Sequence, residues 1–203
     1  MIYTGKLFVL SAPSGAGKSS LIKAVLSDSR VENLVYATSH TTRAPREGET
    51  DGVDYYFAPL ETFREMAERG DFLEWTKTFE NYYGTSRVVI EEKLAMGYRV
   101  ITDVDVVGAK AIKESFPAAK LIFVITPTYA VLKERLQGRH TESAAGKELR
   151  LKRTVEEIAQ RDLYDYLIVN DNFAKAKEEL VAIVNGGEGR PIAGQEEFWA
   201  RFF

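Results

Sequence analysis

Ala12-Pro-Ser-Gly-Ala-Gly-Lys-Ser19 is a glycine-rich stretch between a predicted strand and a predicted helix. It follows the apolar run Lys6–Ser11, which is short enough for a buried strand. It precedes Ser20–Leu26, in which apolar residues recur at helical spacing. A strand, a glycine turn and a helix beginning with Gly-Lys-Ser are the context of a phosphate-binding P-loop. An ordinary glycine turn is the less favoured alternative, so the stretch predicts nucleoside triphosphate binding.

The chemistry of this loop suits a polyphosphate. Gly15 and Gly17 let the backbone approach the ligand, so that successive N–H groups and the helix N-terminus point at it. The Lys18 ammonium can bridge the β- and γ-phosphates, and the Ser19 hydroxyl can ligate Mg²⁺. One position departs from the usual pattern, because Ala12 stands where the first glycine is expected.

The composition predicts a cytoplasmic globular domain. The chain has 203 residues, no cysteine and a net charge of −3. Without cysteine there are no disulfides and no thiolate chemistry. The negative balance argues against a nucleic-acid partner, because affinity for nucleic acid comes mainly from excess Lys and Arg. The apolar run Leu7–Leu10 is too short for a signal peptide, and no stretch predicts a membrane span.

Strand and helix signals alternate along most of the chain. Ile122–Ile125 and Tyr166–Val169 are continuously apolar, as strands covered on both faces are. This alternation predicts an α/β fold with a parallel sheet and helices on both of its sides. The expected strands are 7–11, 35–39, 98–103, 120–125 and 165–169, and the expected helices are 18–27, 85–96, 106–116, 128–137, 147–163 and 172–184.

Between residues 53 and 80 the βαβ rhythm is interrupted. Asp54–Phe57 and Phe72–Phe79 are aromatic-rich and predict strands on either side of a short helix at 60–69. We interpret this segment as a small inserted subdomain.

Two clusters flank the insertion. Arg43 and Arg46 lie three apart in a loop with Pro and Gly, and two guanidinium groups can converge on one phosphate. Taken alone, this loop is better explained as a solvated basic segment. Asn81–Ser86 places two phenols and two hydroxyls before the helix expected at 85–96. By itself that cluster indicates only a helix cap with aromatic packing.

Taken together, these residues resemble the guanylate kinase family. The match runs from Leu7 to about Asp171 through eight motifs in the family's order. Each motif beyond the P-loop is weak alone, whereas the ordered set is specific. The motifs are Ser11-Ala-Pro-Ser-Gly-Ala-Gly-Lys-Ser19, Ser39-His-Thr-Thr-Arg43-x-Pro-Arg46-x-Gly-Glu49, Gly52-Val-Asp-Tyr-Tyr-Phe57, Phe72-Leu-Glu-Trp75, Asn81-Tyr-Tyr-Gly-Thr85, Asp103-Val-Asp105, Arg135-Leu-Gln-Gly-Arg139 and Val169-Asn-Asp171.

The resemblance implies a P-loop kinase fold: a parallel sheet flanked by helices, a small inserted mixed α/β GMP-binding subdomain and a helical lid. It implies transfer of the γ-phosphoryl group of ATP to GMP, with Mg²⁺ as cofactor and ATP and GMP as small-molecule partners. The sequence leaves the oligomeric state and the preference between GMP and dGMP open. The implied single domain spans 1–203, with core segments 1–34, 96–127 and 164–186, the GMP-binding insertion 35–95, the lid region 128–163 and a C-terminal tail 187–203.

The resemblance also implies how GMP is recognised. Guanine offers N1–H and a 2-amino group as neighbouring donors, and an ionised Glu74 carboxylate accepts both. Adenine has an acceptor at N1, which the same carboxylate would repel. Ser39 and Thr85 would donate to O6, and two arginines with two phenols would hold the phosphate. The implied GMP-binding residues are Ser39, Arg43, Arg46, Tyr55, Glu74, Tyr83, Gly84, Thr85, Asp103 and Asp105.

The remaining implied roles concern ATP, the metal and catalysis. The ATP-binding residues would be Ser14, Gly15, Ala16, Gly17, Lys18, Ser19, Ser20, Arg135, Asn170 and Asp171, the last two beside the adenine. Ser19 and Asp103 would ligate Mg²⁺, and the catalytic residues would be Lys18, Arg46 and the lid arginines Arg139 and Arg150. Two positions depart from the family, which usually has Gln at Val107 and commonly Gly at His140.

Two other functions, and two possible packing positions of the C-terminal tail, stay open at this point. A guanylate-kinase-like binding module is disfavoured because this chain keeps Lys18, Ser19, Arg139 and Arg150. A P-loop kinase for another phosphorylated small molecule would have no need of Glu74. The tail aromatics Phe198, Trp199, Phe202 and Phe203 are expected to pack on the core, with a subunit contact as the alternative.

Overall fold

The computed structural model describes residues 4–78, 80–137 and 144–203, with only the backbone described at 137 and 144–150. The strands are β1 (Lys6–Ser11), β2 (Leu34–Tyr36), β3 (His40–Thr41), β4 (Tyr56–Phe57), β5 (Phe72–Thr78), β6 (Asn81–Ser86), β7 (Arg99–Asp103), β8 (Lys120–Ile125) and β9 (Tyr166–Val169). The helices are α1 (Lys18–Leu26), α2 (Leu60–Glu68), α3 (Arg87–Ala95), α4 (Val106–Ser115), α5 (Tyr129–Gln137), α6 (Ala144–Ala159), α7 (Phe173–Val184) and α8 (Glu196–Phe202), with a 3₁₀ turn at Arg161–Leu163.

The strands form two sheets, and the predicted α/β fold is confirmed. A five-stranded sheet has the order β2-β7-β1-β8-β9, and a four-stranded sheet has the order β4-β3-β6-β5. The second sheet is mixed, because β3 pairs parallel with β4 while β6 pairs antiparallel with both β3 and β5. It includes the two strands predicted in the insertion.

The segment Asn81–Ser86 differs most from its predicted secondary structure. It is strand β6 and not simply a helix cap, because its backbone pairs along its length with β5. The helix expected at 85–96 therefore begins only at Arg87, with the Ser86 hydroxyl accepting from Val89 N at 3.4 Å. The sequence also failed to predict the short strand β3 and the helix α8.

The chain divides into two compact units. Unit 1 contains the described residues up to Val9 and Asn33–Ala119. In it, β2 pairs parallel with β7, in the register Tyr36↔Ile101, so the carboxyl ends of these strands lie side by side. Helix α4 packs against β5 of the mixed sheet. The fully buried side chains that form its core include Phe63, Ile90, Leu94, Ile101 and Ile112.

Unit 2 contains Leu10–Glu32 and Lys120–Phe203. Here β8 pairs parallel with β9, and helix α1 packs on helix α7. The loop after α1 forms an ion-pair cluster with α7, in which Asp28 pairs with Arg30 and Lys177, each at 2.7 Å. These cations hold the pKa of the Asp28 carboxyl well below its usual range, Arg30 having the larger effect.

The C-terminal tail packs on unit 2, which is the first of the two alternatives. The Phe202 side chain is only 1% exposed, and its ring centroid lies 6.4 Å from that of Tyr129. The Trp199 ring lies 6.4 Å from the Phe123 ring on β8 and carries the Arg161 guanidinium over its face at 5.1 Å. Among the described residues, no helix combines the length and apolarity that crossing a membrane requires.

Candidate active site

The P-loop of unit 2 is formed by the turn between β1 and α1. Gly15 and Gly17 have φ values of 89° and 91°, in the region where glycine alone is unstrained. Gly17 is the N-cap of α1, which begins at Lys18, and no side chain caps this end. Within α1, all of which the structure describes, the first turn has no acidic residue. Amides in the first turn of a helix have no intrahelical acceptor, so the start of α1 favours an anion.

A second segment of unit 2 braces this loop. The Asn170 side chain, at the end of β9, donates from Nδ2 to Ala16 O at 2.7 Å in a buried hydrogen bond. A Cβ on Gly17 would collide with that amide, so Gly17 is required by packing as well as by its φ value. Arg135 Nη1 on α5 donates to Asn170 O at 3.2 Å. Three of the predicted ATP-binding residues, Gly17, Arg135 and Asn170, are thus brought together.

The other predicted ATP-binding residues have different exposures. Ser19 and Ser20 are exposed in the first turn of α1, and Asp171 is exposed after β9. The half-buried members are Ser14 and Lys18, whereas Ala16 is fully buried. Arg139 and His140 lie outside the described residues, and the side chain of Arg150 on α6 is not described either. The predicted lid roles therefore stay predictions.

Unit 1 contains a buried carboxyl group on the mixed sheet. Glu74 is 7% exposed and lies opposite Thr85 in the pairing of β5 with β6. The Thr85 hydroxyl donates to Glu74 Oε1 at 2.6 Å. The Ser39 hydroxyl lies 3.5 Å from that of Thr85. The register of the pair shifts between Phe72 and Glu74, and such a bulge redirects the side chains that follow it. The predicted base-recognition residues therefore form one cluster.

The buried position of Glu74 favours the protonated form of its carboxyl group. Burial raises its pKa from 4.5 to about 7, and the nearby Asp105 adds to the rise while the Thr85 hydrogen bonds oppose it. Asp105 is the N-cap of α4, where its Oδ1 accepts from Gly108 N at 2.9 Å. An ionised Glu74 is costly in this site unless donors are supplied to it.

A second cluster of unit 1 contains the predicted phosphate ligands. The Arg43 guanidinium lies over the Tyr55 ring at 5.4 Å, and the Tyr55 and Tyr83 ring centroids are 6.0 Å apart. Burial raises the pKa of Tyr55 to about 12, so its phenol is a hydrogen-bond donor at neutral pH. Arg46 is exposed on the same loop. These four groups are cationic or can donate hydrogen bonds, as a phosphate requires.

Sequence reasoning missed Glu49 in this cluster. Its two carboxylate oxygens accept from Arg43 Nη1 and Nη2, both at 2.9 Å, and Oε2 also accepts from Arg46 N at 2.8 Å. The Arg43 hydrogen bonds, more than any other effect, hold the pKa of the Glu49 carboxyl below its usual value. Glu49 thus orients the Arg43 side chain and, through the hydrogen bond from Arg46 N, stabilises the loop that contains Arg46. Its place at the end of the Arg43–Glu49 motif was the available signal.

Sequence reasoning also missed Tyr36, which lies beside the predicted metal ligand. The Tyr36 hydroxyl donates to Asp103 Oδ1, because β2 and β7 are parallel neighbours that end at the same edge of the sheet. Burial and the Asp103 charge raise the pKa of Tyr36, so the phenol stays protonated and acts as the donor.

Gly84, a predicted GMP-binding residue, is required by packing, whereas Val107, a departure from the family pattern, is exposed. A Cβ on Gly84 would lie 2.9 Å from Phe72 Cδ1 and 3.0 Å from Phe63 Cζ, so the ring packing requires a glycine. Val107, in the first turn of α4, is 63% exposed although it is apolar.

Comparisons with known proteins agree on one family. A family model described as guanylate kinase matches residues 4–186. A guanylate kinase from Haemophilus influenzae is 48% identical over 182 residues, covering 89% of this chain and 87% of that protein. One from Haemophilus ducreyi is 46% identical over 180 residues, with the same two coverages. The crystal structure of guanylate kinase from Anaplasma phagocytophilum is 29% identical, with a TM-score of 0.72 over 100% of this chain and 97% of that one.

Proposed function

Because the chain belongs to the guanylate kinase family, it is an ATP:GMP phosphotransferase, and we propose that the cluster around Glu74 in unit 1 binds GMP. The observation that carries this proposal is the buried Glu74 carboxyl with the Thr85 and Ser39 hydroxyls beside it. A carboxyl group is seldom buried without a paired cation or a functional reason. Guanine supplies the missing donors.

Guanine recognition follows from the hydrogen-bonding capacity of this cluster. The ionised Glu74 carboxylate would accept N1–H and the 2-amino group, while Thr85 and Ser39 would donate to O6. Adenine would leave the carboxylate facing an acceptor. A site built to pair with such donors rejects an analogue lacking them by about 10⁴-fold or more, because its buried polar group is left unpaired.

The GMP phosphate would lie on Arg43, with donors from Tyr55 and Tyr83. The bidentate contact of Arg43 with Glu49 keeps the guanidinium in a fixed orientation before the ligand arrives. A preorganised arginine loses less conformational entropy on binding. Arg46 is exposed on the same loop and would add a second cation at the transferred phosphoryl group, where catalysis consists mainly of positioning and charge neutralisation.

The ATP triphosphate would bind at the P-loop, on the amides at the start of α1 and on the Lys18 ammonium. The Ser19 hydroxyl in the first turn of α1 would hold Mg²⁺ beside the triphosphate. Among the described residues no group of three or more His, Cys, Asp or Glu could hold a metal ion. In kinases one or two protein oxygens suffice for Mg²⁺, because phosphates and water complete its coordination shell. The bound ion would neutralise charge on the β- and γ-phosphates.

A coupled assay with GMP, AMP, CMP and UMP as acceptors tests the proposed function. We expect turnover with GMP in the presence of Mg²⁺ and little with the other three nucleotides. Chelation of Mg²⁺ should abolish turnover with every acceptor. Comparable rates with AMP or a pyrimidine nucleotide would contradict the assignment of the base site.

The raised pKa of Glu74 predicts that GMP binding weakens in acid. GMP selects the ionised carboxylate, so its binding releases the proton that the empty site holds below about pH 7. The KM for GMP should rise as the pH falls below about 7, approaching about tenfold per pH unit. The KM for ATP should not follow this profile.

The measurement is kcat/KM for GMP against pH at saturating ATP, for the wild type and Glu74→Gln. The GMP phosphate itself titrates at about pH 6, but it does so equally for both proteins. The difference between the two profiles therefore reports Glu74. Parallel profiles would show that this carboxyl does not titrate on binding.

A further inference from the structure

A buried glycine lies directly against the Glu74 carboxyl group. Gly108, the third residue of α4, is buried, and a Cβ on it would lie 2.7 Å from Glu74 Oε2 and 3.1 Å from Glu74 Cδ. Both separations are well inside the ~3.5–4.0 Å optimum for non-bonded heavy atoms. The carboxyl group therefore occupies space that is open only because residue 108 has no side chain.

Backbone conformation does not explain this glycine. Gly108 lies inside α4, where its φ is not in the left-handed region, so an L-residue could adopt its backbone. Glycine is a poor helix former, and alanine at this position would favour the helix. The contact that excludes alanine is the one with Glu74, together with a Cβ–Cβ separation of 3.1 Å from Val104.

Both sides of the contact are fixed by hydrogen bonds. The Glu74 carboxyl is held at its other oxygen, where Oε1 accepts from the Thr85 hydroxyl at 2.6 Å. The first turn of α4 is held by Asp105, whose Oδ1 accepts from Gly108 N at 2.9 Å. An added methyl group at residue 108 would therefore have to push the carboxyl group out of the position in which the Thr85 hydroxyl holds it.

We propose that Gly108 is a positioning residue for base recognition: its missing side chain admits the Glu74 carboxylate beside α4, in the orientation that accepts the two guanine donors. This inference rests on the proposed role of Glu74. A methyl group at residue 108 would displace the carboxylate on the order of 1 Å, and a misplacement of that size can cost up to about a hundredfold.

The test is a double-mutant cycle of Gly108→Ala and Glu74→Asp, with steady-state kinetics for GMP and ATP. Gly108→Ala should raise the KM for GMP at least about tenfold and leave kcat and the KM for ATP within about twofold. The Glu74→Asp side chain is one methylene shorter, which withdraws the carboxylate from residue 108. In that background Gly108→Ala should have no further effect on the KM for GMP.

Lys110→Ala, an exposed substitution on the same helix, is the matched control and should leave all constants unchanged. Multiplicative effects of the two substitutions, or a normal KM for GMP in Gly108→Ala, would overturn the proposal. If Gly108→Ala fails to fold, the double variant should fold, and its failure to do so would also overturn it. Failure of the proposed function would look different, because Glu74→Asp alone would then leave GMP turnover unchanged.

Discussion

Lys18→Ala is expected to lower the rate of phosphoryl transfer at least about a hundredfold while leaving the protein folded. The Lys18 ammonium would neutralise charge that develops on the transferred group, and losing such a contact costs at least about 3 kcal/mol of transition-state stabilisation. The fold should survive, because Lys18 is half-buried in the first turn of α1 and the adjacent core side chain is Leu21. The measurement is kcat for GMP at saturating ATP, with circular dichroism and thermal unfolding of both proteins.

Lys23→Ala is the matched control, since Lys23 is an exposed lysine later on the same helix. It should keep nearly all of the wild-type activity. A folded Lys18→Ala protein that retains more than about a tenth of wild-type kcat would contradict the P-loop role, because that loss is under ~1.4 kcal/mol.

Glu74→Gln is expected to weaken GMP binding by about 1.5–3 kcal/mol, which corresponds to roughly tenfold to hundredfold. The substitution replaces one acceptor oxygen with an amide donor, so one of the two guanine donors loses its partner. Binding of the phosphate through Arg43 should survive, so the discrimination between GMP and AMP should shrink. The measurement is kcat/KM for GMP and AMP, with the KM for ATP followed in both proteins.

Glu61→Gln, an exposed substitution on α2, is the control and should change none of these constants. An unchanged ratio of GMP to AMP in Glu74→Gln would remove Glu74 from the base site. A parallel rise in the KM for ATP would indicate general damage to the protein instead.

Glu74→Gln should also be more stable than the wild type at alkaline pH. The pKa of Glu74 is raised by folding, so this carboxyl contributes stability that is present below about pH 4.5 and is lost as the pH rises through about 7. Above that range the wild type bears a cost of up to about 3 kcal/mol that Glu74→Gln avoids. The measurement is the free energy of unfolding of the wild type and of Glu74→Gln at acid and at alkaline pH.

The sequence alone determined the α/β fold and the P-loop. Lys6–Ser11, the glycine turn and α1 follow local rules, namely apolar run length, glycine at positive φ and helical spacing. Most other core strands and helices were predicted close to their bounds for the same reason. The candidate site residues were identified from motifs that occur in the family's order. Such motifs can be recognised in a sequence even when the residues they contain contact distant parts of the chain.

Only the tertiary structure decided how those residues meet. Whether Asn81–Ser86 forms a strand depends on its pairing with β5, a non-local contact that outweighs the local signal for a helix cap. The bulge beside Glu74, the bidentate contact of Glu49 with Arg43 and the fit of Gly108 against Glu74 all arise from segments brought together by folding. Spacing along a chain does not encode such contacts, because packing and register are properties of the assembled elements.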